Sequence, residues 1–132
     1  MNLESDGGAP LKRYIYIAAG AMIGAVLRLA ISLVSSYAGL PFFTGTFLVN
    51  MLGAFAAGYI MCRIIATGKR GKDFLITGLL GSFTTFSMLS YEQYMLLAIG
   101  DYVMFTVYIA INLMCGLILA ALGWQIAGRR TR

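Results

Sequence analysis

The apolar run at residues 74–99 is the feature that most limits what this chain can become. At about 1.5 Å per residue, a helix over it crosses the roughly 30 Å of hydrocarbon in a bilayer. Its centre, Gly81-Ser82-Phe83-Thr84-Thr85-Phe86-Ser87, nevertheless suits a plain lipid-facing span poorly. Gly and β-branched Thr disfavour a regular helix, and Ser and Thr hydroxyls compete for main-chain hydrogen bonds. In hydrocarbon, released carbonyls are tolerated only where they are buried in protein, line a cavity or coordinate something. The run therefore predicts a helix interrupted at mid-membrane, gathering backbone oxygens, hydroxyls and rings in one place. The alternative is an intact helix whose small polar residues pack against neighbours.

Three further apolar runs accompany it, at residues 14–37, 46–65 and 102–126. Only 11% of the chain is charged, where a soluble domain carries about 25%, so this is an all-α membrane protein of four spans. The reading is a flexible N-terminus over 1–13, one transmembrane domain over 14–128 and a basic tail over 129–132. The first run is too long for a signal peptide, and no A-x-A-like site follows it. Gly39-Leu40-Pro41 and Gly100-Asp101 make the first and third turns, and a polar loop over 68–73 makes the second.

Lys and Arg fall on one side of this arrangement. Lys12 and Arg13, then Arg63, Lys69, Arg70 and Lys72, then Arg129, Arg130 and Arg132 share the side of the termini. The first and third loops carry none, and Arg28 lies within the first span. The positive-inside rule then places both termini in the cytoplasm. The net charge of +5 flanks apolar runs, which is membrane usage and gives no nucleic-acid face.

Few residues here carry reactive chemistry. There is no His, and Cys62 and Cys115 lie in apolar segments without ligand partners, which excludes a zinc site or a His-based triad. Glu92 is the single acidic residue well inside a span, too little for acid–base catalysis, so no enzyme is expected. Arg28 must snorkel, pair or face water, and either an interfacial Arg or an anion-attracting vestibule fits. Asn50, an amide in hydrocarbon, must find partners: an interhelical hydrogen bond, or donors turned toward a small anion. Gly20-Ala21-Met22-Ile23-Gly24-Ala25 is a small-residue surface that lets helix backbones approach closely.

Three motifs together resemble one family: G-x-x-x-G-A-x-x-R from Gly20 to Arg28, G-T-x-x-V-N-x-x-G-x-F-x-x-G from Gly45 to Gly58, and G-x-x-G-x-x-T-T-F-S from Gly78 to Ser87. In this order they are similar to the bacterial fluoride channels called Fluc or CrcB. The resemblance implies an antiparallel, dual-topology dimer of four-helix subunits with narrow fluoride paths and a structural sodium ion at its centre. It implies sodium ligation by the backbone oxygens of Gly81 and Thr84 from both subunits. It implies a path using Asn50, Thr85, Phe86 and Ser87, with Tyr108 and Asn112 from the fourth span and Arg28 at the vestibule. Such chemistry is physically apt, since a strongly hydrated anion needs close donors, a ring edge is positive, and carbonyls suit a hard cation.

The chain departs from the family in two places. Leu89 stands where a second Phe belongs, and Gly116 and Ala120 interrupt the hydroxyl stripe begun by Tyr108 and Asn112. A one-sided charge distribution also suits a subunit of fixed orientation. The expected partner is therefore a homologous subunit of opposite orientation in a heterodimer, with a homodimer as the other possibility. Two further function classes compete. A small four-span multidrug exporter needs a carboxylate in its first span, which is missing. A non-conducting assembly subunit has no need of Asn50 or of the Thr84 to Ser87 run.

Overall fold

The computed structural model describes residues 8–67 and 71–129. The fold consists of α1 (Gly8–Tyr37), α2 (Thr44–Thr67), a π-helix (Asp73–Leu80), α3 (Gly81–Phe83), α4 (Phe86–Ala98) and α5 (Tyr102–Arg129). The π-helix, α3 and α4 together form the third of four stretches long and apolar enough to cross a membrane. Helix α1 begins at Gly8, within the segment expected to be flexible. Pro10 does not prevent this, because the first turn of a helix has no use for its missing N–H. Residues 1–7, half of the polar loop (68–70) and the tail beyond Arg129 lie outside the described residues.

Both turns on the side away from the termini follow from local chemistry. Gly39 (φ 69°) and Gly100 (φ 77°) take the left-handed conformation that ends α1 and α4. At each, paired bonds close the helix end: Gly39 N–H to Ser36 O and Leu40 N–H to Ser35 O, then Gly100 N–H to Leu97 O and Asp101 N–H to Leu96 O. Asp101 then caps α5 by accepting from the Met104 N–H at 2.9 Å.

Helix α2 packs most extensively on α5, and α1 on the π-helix. The α2–α5 seam is backbone against backbone: a methyl on Gly58 would enter the Ala120 carbonyl, and one on Gly123 the Phe55 carbonyl. Leu89, Leu96 and Tyr108 form a buried cluster, packed against Phe43, Phe47, Met104 and Phe105. Large apolar side chains such as Val34, Ile65, Val103 and Leu117 point outward, as they must where lipid is the solvent.

The third span is interrupted, but over a shorter stretch than the sequence suggests. Gly81–Phe83 stays helical, Thr84 (ψ 154°) and Thr85 (φ −146°, ψ 118°) are extended, and α4 restarts at Phe86. Two adjacent β-branched residues are the natural place for extended backbone, and Thr85 caps the restarted helix with its own hydroxyl. Ahead of the break, the eight-residue π-helix was not signalled by any local pattern.

Candidate functional site

Asn50, in the second turn of α2, holds the break. Its Nδ2 donates to the Thr85 carbonyl at 3.1 Å, and its Oδ1 accepts from the Thr85 N–H at 2.9 Å. The amide thus mimics a strand partner for one peptide unit, which is how an isolated extended residue is satisfied inside a membrane. One Nδ2 hydrogen is left over by this pairing. Both readings of Asn50 therefore remain physically compatible, because the interhelical bond does not exhaust its donors.

The pairing has a consequence for the carbonyls. In an uninterrupted α-helix, the Thr85 N–H would bond to the Gly81 oxygen and the Met88 N–H to the Thr84 oxygen. Here Thr85 N–H is turned to Asn50, and Met88 N–H bonds to Thr85 Oγ1 at 3.2 Å. The Gly81 and Thr84 carbonyls are thus among those at the break that lose their helical partners. Thr84 Oγ1 itself turns back to donate to the Leu80 carbonyl at 3.0 Å.

A cleft of about 430 Å³ opens over this break, lined by Asn50, Gly53, Gly81, Thr84, Thr85 and Phe86 among others. Thr85 is buried, whereas the Phe86 ring is 79% exposed, standing at mid-span beside polar groups. Ser87 is exposed, with its Oγ 3.2 Å from Thr85 Oγ1. Because Thr85 Oγ1 already accepts from Met88, these two hydroxyls form a short chain ending at the surface.

A second polar group lies further along the same faces. Thr46 donates to Glu92 Oε1 at 2.6 Å and Tyr108 donates to Oε2 at 2.7 Å, joining α2, α4 and α5. The Tyr108 hydroxyl also lies 3.3 Å from the Phe43 carbonyl. Glu92 is only 2% exposed, yet it borders a separate cleft of about 250 Å³ with Ser32, Ser35, Ser36 and Thr46. The Glu92–Thr46 partnership was not legible by inspection of Glu92 alone. Its available signal is spacing: Thr46 and Asn50 sit four apart on α2, as do Tyr108 and Asn112 on α5.

Of the sequence-predicted residues, Asn50, Gly81, Thr84, Thr85, Phe86 and Ser87 come together at the break. Tyr108 and Asn112 belong to the Glu92 side instead. Asn112 is buried, donates to the Tyr108 carbonyl at 2.8 Å, and leaves its Oδ1 without a partner among the described residues. The stripe ends there, since the site facing Gly116 is approached by the Met51 methyl. Leu89 points into the core of its own chain and lines neither cleft. Arg28 is half-buried on α1, and no ion pair engages it among the described residues.

The chain is similar to known proteins over most of its length. The family described as CrcB-like protein, Camphor Resistance (CrcB), matches residues 15–124. A protein of Methanococcus aeolicus named fluoride-specific ion channel FluC is 37% identical over 116 residues, covering 86% of this chain and 93% of that protein. FluC 1 of Staphylococcus epidermidis is 35% identical, over 89% of this chain and 98% of its own length. FluC of Shewanella amazonensis is 38% identical, over 88% and 96%. With its four membrane-length helices, third-span break and matched length, this chain is a multi-pass membrane protein of the CrcB/FluC family.

Proposed function

We propose that the chain is a subunit of a fluoride-selective channel that lets fluoride leave the cytoplasm passively. Protonated HF enters a cell, dissociates at neutral pH, and leaves an anion trapped unless a path exists. The curated relatives, named fluoride-specific ion channels, support this reading. The observation that carries it within the chain is the double hydrogen bond from Asn50 to Thr85, which keeps the third span open at Thr84–Thr85.

In this reading the donors at the break replace part of the hydration shell of the anion. They are the spare Nδ2 hydrogen of Asn50 and the Thr85–Ser87 hydroxyl chain, beside the positive edge of Phe86. Tyr108 spends its hydroxyl on Glu92, so it orients that carboxylate and keeps it from facing the path unscreened. Asn112 is buried one turn along from Tyr108, and its unpartnered Oδ1 is the acceptor it would bring to a path that reaches it. Arg28, half-buried and unpaired by any described carboxylate, supplies positive potential at the vestibule.

The same arrangement fits a structural sodium ion. Gly81 and Thr84 would hold it through backbone oxygens whose usual amide partners are diverted, with the same pair contributed by a second subunit. When bound, sodium supplies a fixed positive charge and ties two subunits together through hard oxygen ligands. The exposed Phe86 and open cleft give that second subunit a surface to cover. The proposed partner is a homologue of opposite orientation, with this chain's termini in the cytoplasm, because the Lys and Arg side bias opposes insertion in both directions.

Fluoride efflux from liposomes that hold this chain together with a homologous partner subunit, with and without sodium, tests the reading. Asn50→Asp exchanges a donor for an acceptor facing the Thr85 carbonyl, and places a second negative charge where the anion must pass. We expect efflux to fall at least about tenfold, consistent with a loss of some 1.5–3 kcal/mol for a bond to a charged group. Efflux independent of sodium, or unchanged in Asn50→Asp, removes the proposal.

A further inference from the structure

The π-helix has no local cause in its own residues. Across the interface it is met by the glycines of α1. A methyl on Gly20 would be driven into the Phe74 carbonyl oxygen and against the Leu79 nitrogen. Those two atoms are five residues apart, the acceptor and donor of one π-helical turn. Gly20 therefore sits directly over the hydrogen-bonded step that makes the turn wide. One glycine hydrogen points at the Phe74 oxygen where any other residue would place a methyl. Gly24 meets the Leu79 carbonyl in the same way, and Gly78 meets the Ile17 carbonyl from the opposite side. The two backbones interlock along three successive contacts.

The segment also runs between two fixed points. At its start, Arg13 Nε lies 3.2 Å from Asp73 Oδ1, tying the first residue of the π-helix to α1. At its end, the Thr85 peptide is held on both sides by Asn50 of α2. A π-turn is one residue more than an α-turn, so it absorbs one residue of chain between these anchors without rotating the residues beyond it. Tightened to an α-helix, the same segment would carry Thr84 and Thr85 forward by one position. At 3.6 residues per turn that is a rotation of about 100°, away from the Asn50 amide.

We propose that Gly20 is a positioning residue for the break. By leaving room for the wide turn from Phe74 to Leu79, it sets the register in which Thr84 and Thr85 arrive at Asn50. Gly24 and Gly78 hold the same seam. The proposal rests on the reading of the break as the working centre, and its test separates the two. Thr77 is exposed on the π-helix, away from the seam, so it is the residue whose removal returns the segment to an α-helix in unchanged phase.

Three chains are compared in their assembled, membrane-reconstituted form: wild type, Gly20→Ala, and Gly20→Ala with Thr77 deleted. Hydrogen exchange at the Thr85 N–H reports the register without any transport, and sodium-dependent fluoride efflux reports the function. Gly20→Ala is expected to speed Thr85 exchange and to lower efflux, each by about tenfold or more, as befits a lost amide pairing. Deleting Thr77 in that background is expected to bring both back to within about threefold of wild type. Should Gly20→Ala fail to fold, the double variant decides in the same way, with recovered folded protein supporting the proposal. Wild-type exchange in Gly20→Ala, or a double variant no better than the single one, overturns it. Wild-type chains that move no fluoride even when reconstituted with a homologous partner subunit overturn the functional reading instead, while Thr85 exchange still decides this one.

Discussion

Residues that bear hydrogen bonds in the interior of a membrane are the most informative part of this chain, because each must be accounted for. Glu92 is satisfied by two hydroxyls, from Thr46 and Tyr108. Tyr108→Phe removes one of these donors and leaves an oxygen of a buried carboxylate short of a partner. We expect a loss of about 1–3 kcal/mol, read as a lower thermal midpoint in detergent, with Thr46→Val acting in the same direction. Asn112 makes a contrasting case, since its Oδ1 is unpartnered and its Nδ2 bonds only to its own helix. Asn112→Leu is expected to leave the thermal midpoint unchanged or raised while lowering fluoride efflux. A fall in both quantities together marks the amide as structural. At this scale the sequence was legible where a residue type was out of place in hydrocarbon and its partner lay close by, as with Asn50 and the Thr85 peptide. It was less legible for Tyr108, whose hydroxyl is committed to an acid on another helix.

Between residue and molecule stands the element, and here local and tertiary causes separate. The break was readable in advance because Thr84 and Thr85 supply both the reluctance to be helical and the cap for the restarted helix. The turns were readable for the same reason, through Gly39 and Gly100. The π-helix was not, because nothing within Asp73–Leu80 demands it; the room for it is left by Gly20, more than fifty positions earlier. Leu89 illustrates the same limit. Its departure from the family motif was visible, but its place in the core beside Tyr108 and Leu96 depends on how α4 is rotated. The α2–α5 seam yields a prediction at this scale. Gly58→Ala would force a methyl into the Ala120 carbonyl and is expected to cost about 1–3 kcal/mol. Gly116→Ala, with only the Met51 methyl nearby at 3.8 Å, is expected to be neutral in the same thermal assay.

At the scale of the whole molecule, two features call for a second subunit under the proposed function. Phe86 stands exposed beside the polar break, and the cleft above Gly81 and Thr84 is open. Under the same proposal, the Lys and Arg distribution favours a different chain as that second subunit. The purified single chain is therefore expected to show little fluoride efflux in liposomes, and co-expression with a homologue of balanced or reversed loop charge to restore it. Robust efflux from the chain alone counts against an obligate heterologous partner.

The two halves of the third span answer to different neighbours. The first half is laced to α1 backbone to backbone, whereas the second is moored to α2 and α5 through a carboxylate and two hydroxyls. Thr84 and Thr85 are thus the coupling between two mechanically distinct blocks. Any lateral squeeze or thinning of the surrounding bilayer that displaces α1 against α5 is concentrated on those two peptide units.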